Sequence, residues 1–291
     1  MKILCVIDSL GSGGAQRQLV NLAIGYKEAG HSVSFLVYRD ESFFKEVLDK
    51  NKINVCNINV SNYVLRLISM RKYIRNGKFD TVISFLEAAN FICEVSGFPY
   101  RRWKLIVGER SANPNITKSF KLILFRWFHL FADYVISNSN ENLKIVKKLN
   151  PLLSNSRCKV IYNSLDLNIW KPKFKSIEQK GGKFKLTIVA SHQYLKNLNG
   201  LIEAVNLLDE DEKSIINIDW YGDRIVEPYV DNSFPEGLRK IQEYNLKNIF
   251  FFHPSSKNII EIINNSDAIG LFSRYEGLSN SICEAMACAK T

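Results

Sequence analysis

The chain has 291 residues, 46% of them hydrophobic, which excludes a disordered or fibrous polymer and allows two α/β domains, each with its own core. No uncharged apolar run reaches the roughly 20 residues of a spanning helix, and Met1-Lys2 leads straight into a strand-like run rather than a secretory leader. The formal net charge of +10 is uneven: between Ser61 and Arg126, twelve Lys/Arg stand against four Asp/Glu, which points to an anionic membrane, an anionic substrate or nucleic acid as partner.

In chain order, short β-branched runs predict strands over 2–7, 32–38, 55–60, 81–85, 104–107, 134–137 and 159–162, then over 185–190, 216–221, 248–252 and 268–272. Between them, apolar residues at helical spacing predict helices over 15–29, 64–75, 120–131, 140–148, 197–208 and 279–287. Such alternation implies parallel sheets with helices on both faces. The polar stretch 171–183, with Pro172, Gly181 and Gly182, precedes a fresh strand and reads as a linker. The expected division is residues 1–165, a linker at 166–183, and a second α/β domain over 184–291. The cysteines, Cys5, Cys56, Cys93, Cys158, Cys283 and Cys288, form no CxxC pair and no zinc-ligand spacing, and read as core residues in a reducing, cytoplasmic compartment.

After the first strand, Gly11-Ser12-Gly13-Gly14-Ala15-Gln16-Arg17 opens a helix. Glycines there let the backbone approach a phosphate, and the free N–H groups of the helix start favour an anion. A plain glycine turn reads equally well, and the dinucleotide fingerprint would need glycine where Gln16 stands. The strongest constellation is 273–287. Glu276 lies in a loop after an apolar strand, and Gly277, Leu278 and Ser279 open a helix whose free amides suit an anion. Glu284 lies one to two turns into that helix, where a carboxylate can accept hydrogen bonds from a vicinal diol; a solvated helix face is the plainer alternative. Over 118–131, Lys118, Lys121, Arg126 and His129 fall within about 140° of arc, and the rest is apolar and aromatic. That is a basic amphipathic helix suited to an anionic membrane surface, or a core helix with a cationic edge.

These motifs resemble those of retaining glycosyltransferases of the large sucrose-synthase and mannosyltransferase type, which have the GT-B fold: α/β, with two Rossmann-like domains facing across a cleft. The match lies at Arg274, Glu276, Gly277, Glu284, Ala285, Met286 and Ala287. Gly13-Gly14 with Arg17 is similar to the family's Gly-Gly-x-Glu-Arg opening, with Gln16 replacing the Glu. Tyr162-Asn163 with Leu165-Asp166 resembles its strand-to-linker signature, and Lys196-Asn197 with Leu201, Ile202, Glu203 and Ala204 resembles the first helix of its second domain.

The resemblance implies that Glu284 holds the nucleotide ribose and Glu276 contacts hydroxyls of the donor sugar. The amides of Gly277, Leu278 and Ser279, and those of Gly13 and Gly14, would face the diphosphate and sugar from opposite sides. Lys196 would neutralise the leaving diphosphate, so that no metal is required and no cofactor is needed beyond the nucleotide-sugar substrate, a UDP-sugar. The loop Gly108-Glu109-Arg110-Ser111-Ala112-Asn113-Pro114 is similar to the Glu-Arg-x-x-Pro type of bacterial surface-polysaccharide and lipid-linked oligosaccharide transferases. There Arg110 would meet an acceptor phosphate and Glu109 would orient a hydroxyl; a turn held by a local ion pair is the alternative. His253-Pro254-Ser255 would seat the nucleobase. The family's diphosphate-binding Arg is absent, and either Ser191 or His192 stands at its position. Relatives continue past the Ala-Met-Ala segment, so a C-terminally incomplete second domain with an exposed sheet edge is expected.

The expected function is sugar transfer with retention from a UDP-sugar to a lipid-linked or polysaccharide acceptor, as in lipopolysaccharide or capsule assembly. The expected place is the cytoplasm, peripheral on the inner face of the membrane. No nucleic-acid module is present. The sequence leaves two alternatives: a nucleotide-sugar epimerase on the same fold, and a catalytically degenerate sugar-nucleotide-binding protein.

Overall fold

Along the first strand and the residue after it, Ile3, Cys5 and Ile7 point to one side and Leu4 and Val6 to the other; all five are buried, as a central strand of a doubly covered sheet requires. The computed structural model describes residues 1–173, 182–223 and 231–290, and the chain divides into two units: Met1–Ser164 with Glu276–Leu278, and Leu165–Tyr275 with Ser279–Thr291. Of the expected linker, residues 174–181 lie outside the described residues.

The first unit contains strands β1 (Lys2–Val6), β2 (Ser32–Val37), β3 (Asn54–Asn57), β4 (Thr81–Phe85), β5 (Lys104–Glu109), β6 (Tyr134–Ser137) and β7 (Cys158–Val160). They form one all-parallel sheet in the order β3-β2-β1-β4-β5-β6-β7. Its helices are α1 (Gly14–Glu28), α2 (Lys45–Lys50), α3 (Tyr63–Asn76), α4 (Glu87–Ser96), α5 (Phe120–Trp127) and α6 (Asn140–Leu149). Leu19, Val20 and Ala23 of α1 and Leu48 of α2 cover one face, with Ile3, Cys5 and Phe35. Met70 and Ile74 of α3, Ile92 and Cys93 of α4 and Val146 of α6 cover the other, with Leu4, Val6 and Leu105. The strand order reverses between β1 and β4, and in open α/β sheets ligands bind outside the carboxyl ends of the strands at such a reversal.

The second unit has β8 (Phe184–Val189), β9 (Ile216–Tyr221), β10 (Phe250–His253) and β11 (Ala268–Gly270), all parallel in the order β10-β9-β8-β11. Its helices are α7 (Leu198–Asn206), α8 (Glu210–Ser214), α9 (Ser233–Glu243), α10 (Ile259–Asn264) and α11 (Asn280–Ala287). Leu198, Ile202 and Val205 of α7 and Phe234 and Ile241 of α9 pack on Ile188, Ile218 and Trp220. Ile259 and Ile263 of α10 pack with Ala285 of α11 and Ile269 on the opposite face. Here the order reverses between β8 and β11.

The segment 118–131 departs from the continuous amphipathic helix expected. Lys118 ends a 3-10 turn, Pro114–Lys118. Ser119 then caps α5, accepting from the Leu122 amide at 3.4 Å, and a second 3-10 turn, Phe128–Phe131, follows. Lys121 is exposed on α5, but Arg126 is 0% and His129 1% exposed, so neither belongs to a cationic outer face. Both turn inward because buried carboxylates wait for them there.

Candidate active site

In the second unit, two loops leave the carboxyl ends of β8 and β11, the strands that flank the reversal. The first ends in a 3-10 turn, Tyr194–Lys196, and Asn197 in the left-handed region (φ 60°, ψ 40°) redirects the chain into α7. Asparagine tolerates that conformation better than most residues. The second runs through Arg274, Glu276, Gly277 and Leu278 to Ser279, the N-cap of α11, whose hydroxyl accepts from the Ile282 amide at 3.5 Å. The loops are joined directly. The Arg274 amide donates to the Leu195 carbonyl at 2.9 Å, and the Arg274 guanidinium lies 4.4 Å over the Tyr194 ring. The turn that carries Lys196 is therefore fixed beside the loop that leads into α11. Glu284 faces inward from the second turn of α11 and is 2% exposed. A buried carboxylate is held in place only by hydrogen bonds or charge, which distinguishes it from the solvated glutamate of the plainer reading.

Two expected residues prove to be engaged in the fold. His192 is buried, its ring 4.2 Å from Phe234 and stacked at 5.7 Å on Trp220, so the imidazole packs within the core of the second unit. His253, at the end of β10, stacks at 4.4 Å on Tyr221 and brings Nε2 to 2.6 Å from Asp219 Oδ1. The loop behind it, Pro254-Ser255, is tied down by a 2.9 Å bond from the Ser255 amide to Asp223 Oδ1.

In the first unit, Gly13 caps α1 in an extended conformation (φ −69°, ψ 158°), at the carboxyl end of β1 beside the strand-order reversal. A Cβ on Gly13 would stand 2.3 Å from Gln16 Oε1, so glycine lets the Gln16 side chain fold back over the turn. Gln16 Nε2 donates at 2.9 Å to Asp8 Oδ1. Burial pushes the Asp8 carboxyl up, and a donor beside it is compatible where a second carboxylate would repel. This accounts for glutamine where the resembling family carries glutamate. Gln18, which the sequence did not single out, is 4% exposed and exchanges bonds with Ser164: Nε2 to its carbonyl at 3.0 Å, and its amide to Oε1 at 2.9 Å.

The carboxyl ends of β4 and β5 carry the remaining candidates. Phe85 and Gly108 pair in register, and a Cβ on Gly108 would meet Phe85 Cδ1 at 2.3 Å. Only glycine lets the Phe85 ring lie there, and the Arg110 guanidinium rests 3.7 Å above that ring while Nη1 donates to Asn163 Oδ1 at 3.2 Å. Leu86, next in the chain, is held at φ 76°, ψ 151°, a region almost reserved for glycine, which costs about 1–3 kcal/mol. Burial brings the Arg110 guanidinium down to about 10, so it remains a cation at neutral pH.

Glu109 takes no part on that side. It is 3% exposed, with Oε2 at 2.8 Å from Arg126 Nη2 and Oε1 at 3.0 Å from His129 Nε2. His129 Nδ1 lies 2.6 Å from Glu94 Oε1, and Arg126 Nη2 also reaches Glu87 Oε1 at 3.1 Å. Burial alone would raise Glu109, but Arg126 and His129 carry it down to about 2; burial alone would lower His129, but Glu94 and Glu109 raise it to about 9. The hydroxyl-orienting role expected for Glu109 is therefore corrected: both its oxygens are occupied within the core. The motif 108–114 did not disclose this, because the partners lie 17 and 20 residues downstream.

Residues 12–169 match the family described as Glycosyltransferase Family 4, and residues 171–291 match Glycosyl transferases group 1. The chain is similar to a Campylobacter jejuni protein named N-acetylgalactosamine-N,N'-diacetylbacillosaminyl-diphospho-undecaprenol 4-alpha-N-acetylgalactosaminyltransferase, at 24% identity over 302 residues, covering 99% of this chain and 79% of that one. Among solved structures it resembles Anabaena Alr3699/HepE in complex with UDP-glucose, with TM-score 0.84, 21% identity and coverage of 100% of this chain and 79% of that one. It also resembles the apo form of the lipopolysaccharide outer core galactosyltransferase WaaB, with TM-score 0.66, 14% identity and the same coverage.

Proposed function

The chain belongs to the family 4 glycosyltransferases of GT-B fold, and we propose that it transfers a sugar from UDP to a glycan carried on a lipid diphosphate, with retention at the anomeric carbon. The observation that carries the donor half is the tie between Arg274 and Leu195, which holds the Lys196 turn beside the loop leading into α11. In this reading the nucleotide ribose bonds to Glu284 and the donor sugar to Glu276. The diphosphate lies against the amides of Gly277, Leu278 and Ser279. Lys196 stabilises the charge that develops as the bond from the anomeric carbon to the phosphate oxygen breaks. The acceptor hydroxyl forms its new bond on the same face and passes its proton to the departing phosphate. A lysine in that role makes a divalent metal unnecessary, and chelator should leave the rate unchanged. UDP is the nucleotide named with the similar Anabaena structure, and the Campylobacter relative is named for an undecaprenol-diphosphate acceptor; both support the substrate classes proposed here.

The acceptor half rests on Arg110, which in this reading meets an acceptor phosphate. A lipid acceptor also requires a surface that meets the membrane. No helix among the described residues is long and apolar enough to cross one. Around α5, however, Phe120, Trp127 and Phe131 are exposed, with Lys118 and Lys121 beside them. That supports peripheral attachment to an anionic leaflet on the cytoplasmic side.

The test is calorimetric titration of UDP into the chain, into Glu284→Gln and into Glu284→Ala. Binding lost in both variants while thermal unfolding stays cooperative supports the ribose contact. Unaltered binding in Glu284→Gln and Glu284→Ala would sink it.

A further inference from the structure

Arg110 is a partly buried cation with no carboxylate partner among the described residues. Its contacts are the Phe85 ring and the side-chain oxygen of Asn163, and its Nε is buried without a hydrogen-bond partner. Yet Glu109 stands next to it in the chain. A carboxylate that close would ordinarily be drawn to the guanidinium and would cancel its attraction for an external anion. Two things prevent this. Neighbouring residues leaving a strand point to opposite faces, so Glu109 turns toward α4 and α5 while Arg110 turns toward Phe85. Arg126 and His129 then occupy both oxygens of Glu109, at 2.8 Å and 3.0 Å. His129 is itself held from behind by Glu94, and Arg126 by Glu87. Glu87, Glu94 and Glu109 are thus all paired with Arg126 and His129 rather than with Arg110.

We propose that His129 and Arg126 are positioning residues: by sequestering Glu109 they leave Arg110 as an uncompensated cation, and so make it a receptor for the diphosphate of a lipid-linked acceptor. The inference rests on the reading of Arg110 given above, and its test separates the two. Gly108 belongs to the same device, because the Phe85 ring on which Arg110 rests could not lie across the strand if Gly108 carried a Cβ.

The probe is geranyl diphosphate, titrated into the chain with UDP at saturation so that the donor diphosphate site is filled, with geraniol as the uncharged control. Wild-type protein is expected to prefer the diphosphate. Arg110→Ala should weaken binding at least tenfold and erase the preference over geraniol, and Arg110→Lys should restore part of it. His129→Gln frees one oxygen of Glu109 and should weaken binding severalfold. The double variant His129→Gln/Glu109→Gln, in which the carboxylate next to Arg110 in the chain is gone, should recover the wild-type affinity. Such recovery is a readout that mere loosening of the core cannot produce. If His129→Gln does not fold, Glu109→Gln alone decides. With Glu109 sequestered, its charge is already compensated, and affinity should stay within twofold. Tightening or weakening beyond about threefold in Glu109→Gln would overturn the inference, as would a folded His129→Gln that binds like wild type. Wild-type affinity in Arg110→Ala would overturn the reading of Arg110 itself, and the positioning inference with it.

Discussion

The amide of Arg274 donates to the carbonyl of Leu195 at 2.9 Å, and the Arg274 side chain reaches the neighbouring Tyr194 ring at 4.4 Å. Any residue but proline at 274 can supply the main-chain bond, but only a cation can supply the second contact, worth about 0.5–1 kcal/mol at an exposed site. Arg274→Ala should therefore lower Tm by only about 1–4 °C. UDP affinity should fall severalfold, because the turn that ends in Lys196 loses its side-chain tether. Arg274→Lys should keep most of the affinity. Calorimetric titration of UDP checks this, and an unchanged affinity in Arg274→Ala would show that the turn holds its shape unaided.

Gly108 makes a sharper case. Its absent Cβ would lie 2.3 Å from Phe85 Cδ1 and 2.5 Å from Cε1, so Gly108→Ala must displace a ring that is 2% exposed. Overpacking of this kind costs about 1–3 kcal/mol, or roughly 2–12 °C in Tm for a chain of this size. Because Arg110 rests on that ring, affinity for a diphosphate acceptor should fall too, while UDP binding is retained. Differential scanning calorimetry and acceptor titration together check it. A Tm loss with unchanged acceptor affinity would detach Arg110 from Phe85 as its platform.

The alternation of strand and helix was legible because it is local: every strand expected from β-branched runs exists, and the segments over 15–29 and 64–75 are α1 and α3 within a residue or two. Helices α4 and α9 escaped notice for opposite reasons. Glu87–Ser96 is buried at Ala89, Asn90, Ile92, Cys93 and Glu94, so its polar residues lie inside and blur the period, and Ser233–Glu243 carries Pro235 and Gly237, which read as breakers. The charge pattern over 118–131 misled for a related reason. A helical projection sorts residues by angle alone, and it cannot tell a solvated Arg126 from one whose counter-ions arrive from β5 and α4. The network around Glu109 was out of reach of any motif, because its members are joined by folding rather than by spacing.

That network should give the stability a defined pH profile. His129 titrates at about 9 in the fold against an ordinary 6.5, so its stabilisation is complete below pH 6.5 and is lost as pH rises through 9. Glu109 titrates at about 2 against an ordinary 4.5, so its stabilisation is complete above pH 4.5 and is lost as pH falls toward 2. Burial raises Glu94, which adds a loss of stability as pH climbs above its ordinary 4.5. Each of the larger shifts corresponds to about 3 kcal/mol, so Tm should fall by roughly 5–10 °C between pH 6.5 and 9. His129→Gln should lower Tm at pH 6.5 and flatten that alkaline limb. A wild-type Tm that does not change over this range would mean that His129 is not held as a cation between Glu94 and Glu109.

The surface around α5 bears on how a lipid acceptor is met. Phe120 is 81% exposed, and Leu124, Trp127 and Phe131 are each about 40% exposed, a cluster that water alone does not favour. Beyond it, cavities of about 380 and 480 Å³ share Arg101, Lys104, Phe131 and Asp133 as lining, so cations continue toward the amino ends of β5 and β6. Aromatic rings at the level of lipid headgroups with lysines beside them bind by two separable terms: apolar burial, insensitive to salt, and attraction to anionic lipid, about 1 kcal/mol per lysine near the surface. The chain should therefore sediment with vesicles containing phosphatidylglycerol and much less with phosphatidylcholine alone. Lys118→Glu/Lys121→Glu should reduce binding tenfold or more and remove most of its salt dependence. Phe120→Ser/Trp127→Ser should weaken binding while leaving the salt dependence in place. Arg126→Gln should change vesicle binding through stability alone, because that guanidinium is 0% exposed and its loss leaves Oε2 of the buried Glu109 without its partner. Equal binding to both vesicle types, or loss of binding in Arg126→Gln with Tm unchanged, would show that this face does not meet the membrane as argued.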